Sequence, residues 1–297
     1  MRRSVQSGSR LSTRFGTRLE DAVERTGRLC VGIDPHPYLL SSWGLSDTAE
    51  GIRDFSFRVL DAAQGAAGII KPQVAFFERH GSAGYAVLED LLAAARSAGI
   101  LVIADAKRGD VGTSVEAYGQ AWLTPGSPLE ADAMTVSAFQ GVGSLDAVLA
   151  LAESSGKGVF VLAATSNPES ALIQQAKTSA GTTVSSQIIG ELGAWNTTQQ
   201  TAPDQWGSAG VVLGATVALG DYGVSPRDLE NMPILAPGFG HQGAQLSDLR
   251  ALFGDASRSV LVSASRSILS AGPDGVAGAI AAHSEEIRAA ASKASGA

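Results

Sequence analysis

The chain has 297 residues, 44% of them hydrophobic, enough for one large core, and α/β barrels commonly run as single domains near this size. A formal net charge of -7 argues against a nucleic-acid or anionic-membrane surface, while leaving room for a small anion held by a few local cations. The lone cysteine, Cys30, excludes an internal disulfide, and no run approaches the roughly 18 apolar residues of a membrane span.

The opening stretch MRRSVQSGSRLSTR is rich in Arg and Ser and has no acid, and no apolar segment follows Arg2-Arg3. An export signal therefore fails, and residues 1–12 read as a disordered extension of a cytoplasmic protein. Phe15, Leu19, Ala22 and Val23 then form one helical face, placed to close the bottom of a barrel. Short apolar runs follow at Leu29–Ile33, Gly68–Lys71, Leu101–Ala106, Ala133–Val136, Val159–Ala163, Val211–Gly214, Ile234–Ala236 and Val260–Ser263. Helical segments alternate with them: Leu88, Leu91, Leu92 and Ala95 repeat at i, i+3, i+4, i+7, as do Leu145, Val148, Leu149 and Ala152. This pattern predicts an α/β chain folded as a single-domain (β/α)8 TIM barrel over residues 13–290. No G-x-G-x-x-G follows the first run, which argues against an open dinucleotide-binding sheet. The irregular stretch, residues 167–209, carries a helical face at Val184, Ile188, Leu192 and Trp195 and a polar segment ending at Pro203. It reads as a long excursion between strand and helix. A last helix is expected from Glu285, fraying over residues 291–297.

Barrel enzymes carry their chemistry where strands end. The third run continues as Asp105-Ala106-Lys107-Arg108-Gly109-Asp110. Strand alternation puts Leu101, Ile103, Asp105 and Lys107 on one face, so two leucine-like side chains fill the interior and the charged pair crowns it. Gly109 is expected to turn the chain and release Asp110. Carboxylates two residues before Lys107 and three after favour its ammonium form, which suits a proton donor better than a Schiff-base lysine. The second run ends at Lys71 and the first at Asp34, completing an alternating ring of cations and anions.

The seventh run leads into Pro237-Gly238-Phe239-Gly240-His241-Gln242-Gly243, and the eighth into Ser265-Arg266-Ser267. In barrels these two loops often hold phosphate, and Gln242 and Arg266 supply donors for it. His36, His80, His241 and His283 show no paired spacing, so no metal site is expected. His241 is placed beside the phosphate loop, and His283 reads as a solvated helix residue.

The segment Asp105–Ser114, DAKRGDVGTS, resembles the D-x-K-x-x-D signature of the orotidine 5′-phosphate decarboxylases. The blocks CVGIDPHP, IIKPQVAFFERHG, LAATSNPES, LAPGFGHQG and SASRSIL resemble those of the longer bacterial branch of that family, in order, over roughly residues 13–285. The resemblance implies a cofactor-free carboxy-lyase acting on a nucleotide. It implies Lys107 as the donor to C6, Asp105 against the substrate carboxylate, Lys71 as a link between carboxylates and ribose, and Asp34 at the ribose. Ser166 would stand near the pyrimidine amide, and Pro237, Gln242 and Arg266 at the phosphate side. It further implies a homodimer in which Asp110, followed by Ser114, enters the neighbouring subunit's site. The sixth run departs from the expected pattern, because Val217-Ala218-Leu219 follows it in place of a polar or proline-bearing continuation. Three rivals remain at this point: a magnesium-dependent 3-keto-gulonate-phosphate-type decarboxylase, a Schiff-base aldolase, and a non-catalytic nucleotide-binding barrel.

Overall fold

Each predicted apolar run forms a parallel strand in the computed structural model, which describes residues 14–200, 202, 205–239 and 243–295. The strands are β1 (Leu29–Ile33), β2 (Ile69–Pro72), β3 (Leu101–Arg108), β4 (Ala133–Val136), β5 (Gly158–Ala164), β6 (Ala209–Leu213), β7 (Ile234–Pro237) and β8 (Val260–Ala264). They close in sequential order, and β1 meets β8 with Cys30 beside Ser263. The architecture is the expected (β/α)8 barrel.

Alternating side chains divide the strands between two apolar regions. The outward set packs against the surrounding helices, while Cys30, Ile69, Leu101, Ile103, Phe160 and Leu261 fill the interior. The helix Phe15–Thr26 closes the floor, as its apolar face predicts, burying Phe15 and Leu19 in that interior cluster. The Phe15 ring meets Phe160 edge-on with centroids 6.1 Å apart. Gly158 is what admits it, because a Cβ there would lie 2.3 Å from the Phe15 ring. Beside this plug, Asp132 pairs with Arg18 and accepts a hydrogen bond from the Val102 N–H at 2.9 Å. Arg18 also donates to the Gly156 carbonyl at 2.9 Å, and Lys157 pairs with Glu130 at 2.7 Å.

The excursion after β5 contains a short helix at Ala171–Gln174 and a long one at Val184–Gln199. Ile188 and Leu192 of the predicted face are buried, and Val184 and Trp195 pack partly buried against the core. Asn196, outside that face, is buried too. Its amide group bonds both the carbonyl and the N–H of Ala209, at 2.7 and 3.1 Å, and so anchors the start of β6. Pro203 and the N-terminal extension lie outside the described residues. The last helix begins at Gly272, well before Glu285, and its backbone continues to Ser295. Among the described residues, no helix is long and apolar enough to cross a membrane.

Candidate active site

The carboxyl ends of β1, β2, β3, β5, β7 and β8 surround a cavity of about 300 Å³, lined by Asp34, Lys71, Asp105, Lys107, Ser166, Pro237 and Arg266 among others. Asp105 is its hub. One carboxylate oxygen accepts from Lys71 Nζ at 2.9 Å and Gln73 Nε2 at 2.8 Å; the other accepts from Lys107 Nζ at 2.6 Å and Thr135 Oγ1 at 2.9 Å. Both oxygens are thus fully engaged. Burial alone would raise the Asp105 carboxyl, but Lys71 and Lys107 outweigh it and hold the group well below the usual carboxylate range. Burial likewise works against the Lys71 ammonium, and the charges of Asp105 and Asp34 overcome it, so Lys71 titrates above an ordinary lysine. The two lysines differ in access: the Lys71 side chain is 8% exposed and that of Lys107 is 44% exposed. Both line the cavity, and Lys107 is the more open of the two to solvent.

The alternation that places Asp105 does not carry on to Lys107. Ala104 pairs with Met134 and Arg108 with Val136, so Asp105, Ala106 and Lys107 stand opposite Thr135 alone. This bulge puts Lys107 at φ 49°, in the left-handed region, a conformation that costs a non-glycine residue about 1–3 kcal/mol. Lys107 reaches the site through a re-aimed backbone rather than through the period of two. Gly109 has no positive φ; it is needed for space, since a Cβ there would lie 2.5 Å from the Ser137 carbonyl oxygen.

The cation–anion ring is also open at one point. Asp34 bonds Ser265 Oγ at 2.5 Å, and its other oxygen is buried without a protein partner. Gly32 allows this approach, because a Cβ there would meet Ser265 Cβ at 2.6 Å. An unpartnered buried carboxylate oxygen beside a cavity is an acceptor open to a donor from outside the chain. Arg266 starts the short helix Arg266–Leu269 after β8. Next to it Ser267 lines the cavity and is bonded at 3.1 Å by His283, which is half-buried rather than solvated.

Ser166 lies at the end of β5 in the cavity wall. Its neighbour Thr165 is clasped by Gln174, whose Oε1 accepts the Thr165 N–H at 2.9 Å while its Nε2 donates to Thr165 Oγ1 at 3.0 Å. Ser185 adds a bond to the Ala163 carbonyl at 2.6 Å. The excursion therefore braces this wall. Asp110 and Ser114 do not line the cavity: Asp110 accepts from the Val111 N–H at 2.8 Å, and Ser114 is exposed on the helix Gly112–Leu123. Gln242 and His241 lie outside the described residues.

Gln73, Thr135 and Ser265 are the site residues that the sequence reading passed over. Gln73 extends the period of Ile69 and Lys71 past Pro72. Thr135 was visible as the one polar side chain in the otherwise apolar Ala133–Val136. Among the described residues, no group of three or more His, Cys, Asp or Glu side chains could hold a metal ion.

The chain resembles several known proteins. It is 49% identical over 262 residues to an orotidine 5′-phosphate decarboxylase of Salinispora arenicola, covering 88% of this chain and 91% of the relative. It is 48% identical over 261 residues to that of Streptomyces coelicolor, covering 88% and 91%. A crystal structure assigned as an orotidine 5′-phosphate decarboxylase from Streptomyces avermitilis superposes with a TM-score of 0.89 at 44% identity, covering 97% of this chain and 99% of that one. The OMP decarboxylase of Leishmania donovani gives a TM-score of 0.74 at 27% identity, covering 94% and 99%. Residues 27–281 match the family model described as Orotidine 5'-phosphate decarboxylase / HUMPS family. With a family model matched over most of its length and relatives nearly half identical to it, the chain belongs to the orotidine 5′-phosphate decarboxylase / HUMPS family.

Proposed function

We propose that this chain converts orotidine 5′-phosphate to UMP and carbon dioxide, the step that completes UMP in de novo pyrimidine biosynthesis, with no cofactor and with Lys107 protonating C6. The observation that carries the reading is the cavity-facing Lys107 ammonium held 2.6 Å from a buried, fully engaged Asp105 carboxylate. The substrate carboxylate sits against Asp105. When the bond between C6 and the carboxylate carbon breaks, its electron pair stays on C6 and carbon dioxide leaves. Lys107 offers a fixed positive charge to that carbanion and then gives C6 its proton. Its exposure lets solvent restore the proton.

The rest of the cavity fits the rest of the nucleotide. The free Asp34 oxygen accepts a ribose hydroxyl, Lys71 spans the carboxylates and the sugar, and Ser166 meets the pyrimidine amide. Arg266 grips the phosphate with Gln242, beside Pro237. Asp110 and Ser114, outside the cavity of their own chain, complete the site of a second subunit in a homodimer. The 56% exposed Val111 beside Asp110 and the 75% exposed Phe139 supply apolar surface for that contact.

The magnesium-dependent sugar-phosphate reading is weaker on one specific ground. Each Asp105 oxygen already accepts two donors, two of the four being lysine ammoniums, so the carboxylate is dressed for an anion–cation network rather than for a divalent ion. The test is loss of orotate absorbance when chelator-treated protein meets orotidine 5′-phosphate. Turnover should proceed unchanged in excess EDTA. Activity that vanishes with EDTA and returns with magnesium would overturn the reading.

A further inference from the structure

We infer that Thr135 is a positioning residue for decarboxylation, because its single hydroxyl ties the backbone of Lys107 to the carboxylate of Asp105. The inference rests on the proposed role of Lys107 as proton donor. Thr135 is fully buried on β4, opposite the bulge in β3. Its Oγ1 accepts the Lys107 N–H at 2.9 Å. A hydroxyl has one proton, and this one is directed to Asp105 Oδ1, also at 2.9 Å. The same Oδ1 receives Lys107 Nζ at 2.6 Å. The circuit closes on itself: main chain of Lys107, hydroxyl of Thr135, carboxylate of Asp105, ammonium of Lys107. Both ends of one lysine are thereby referred to one oxygen atom.

This arrangement explains how a non-glycine residue is held at φ 49° in a strand. The bulge leaves the Lys107 N–H facing a side chain in place of a strand carbonyl, and Thr135 supplies the acceptor. It also selects the residue type. Valine has the shape, branching and strand preference of threonine but no hydroxyl, so it would strand the Lys107 N–H and strip one donor from Asp105. Serine lacks the methyl but keeps both bonds. A packing role for Thr135 would be preserved by valine and damaged by serine. A positioning role predicts the opposite order.

The experiment compares Thr135→Val and Thr135→Ser with the unaltered protein on orotidine 5′-phosphate. Thr135→Val should lose about tenfold to a hundredfold in kcat, the worth of one hydrogen bond to a charged group, with KM changed less than about threefold. Thr135→Ser should restore kcat to within about threefold of the unaltered value. The reverse order, or a valine variant with unaltered kcat, overturns the inference. Should Thr135→Val fail to fold, Thr135→Ala deletes the same hydroxyl and carries the comparison. If the unaltered protein leaves orotidine 5′-phosphate untouched, the substrate reading fails on its own, and Thr135 is judged without substrate. Then the Asp105 carboxyl resonance in ¹³C-labelled protein, assigned with Asp105→Asn, should titrate at higher pH in the valine variant and at its unaltered position in the serine variant. An unmoved titration in the valine variant overturns the inference by itself.

Discussion

At the floor of the barrel Asp132 lies against Arg18, with Lys157 3.9 Å away; at the rim Asp105 lies between Lys71 and Lys107. The charge pattern is the same, an aspartate with two cations. Its completion differs. At the floor every partner has a second protein contact: the Val102 N–H on Asp132, the Gly156 carbonyl on Arg18, and Glu130 on Lys157. At the rim Lys107 is 44% exposed and one oxygen of Asp34 is buried with no partner. A buried ion pair completed by its own chain holds elements together. One left incomplete beside a cavity is poised to act on something else.

If the rim is finished by a second subunit, the contrast with the self-contained floor becomes sharper, and subunit mixing tests it. Lys107→Ala and Asp110→Ala are each expected to be inactive. Exchanged together, they should form hybrid dimers with one doubly damaged site and one intact site. Activity should rise from nothing to about a quarter of that of the unaltered enzyme, the share expected for random exchange in a two-fold dimer. Confirmed exchange with no recovered activity would place Asp110 within its own subunit's site, or mean that the assembly is different.

A smaller effect separates binding from chemistry within the rim. Arg266→Ala should cost about tenfold to a few hundredfold in kcat/KM, the worth of a charge-assisted hydrogen bond of about 1.5–3 kcal/mol. Both constants should change if phosphate binding is coupled to the chemical step; only KM should rise if it merely anchors. Orotidine, which lacks the phosphate, should be handled almost alike by both enzymes. An equal loss on orotidine would move Arg266 from the phosphate to the barrel or the pyrimidine.

The floor was legible in the sequence through apolar spacing, since Phe15, Leu19 and Ala22 show their face at helical intervals and Leu101 and Ile103 at strand intervals. The rim was legible only in part. Asp105 follows from the period of two, but Lys107 arrives through a bulge, and a bulge depends on what the neighbouring strand offers. Thr135 offers a hydroxyl from far along the chain, a pairing that no local pattern announces. Asp34 was seen as a ring member, yet its actual partner is Ser265 of β8's trailing loop, because closing the barrel brings β1 beside β8. His283 was misread for the same reason: its contact with Ser267 exists only once the last helix packs.

The most direct test of the account alters one member of each ion cluster and measures turnover and stability together. Lys107→Ala should bind UMP and melt close to the unaltered protein, while decarboxylation falls by about a thousandfold or more, as expected when proton donation and charge stabilisation are lost together. Asp132→Ala should do the reverse, losing about 1–3 kcal/mol of stability because the buried Val102 N–H and Arg18 lose their shared acceptor, with turnover per folded molecule unchanged. Near-normal decarboxylation by Lys107→Ala would contradict the assignment of the rim as the chemical end of the barrel and of Lys107 as its proton donor.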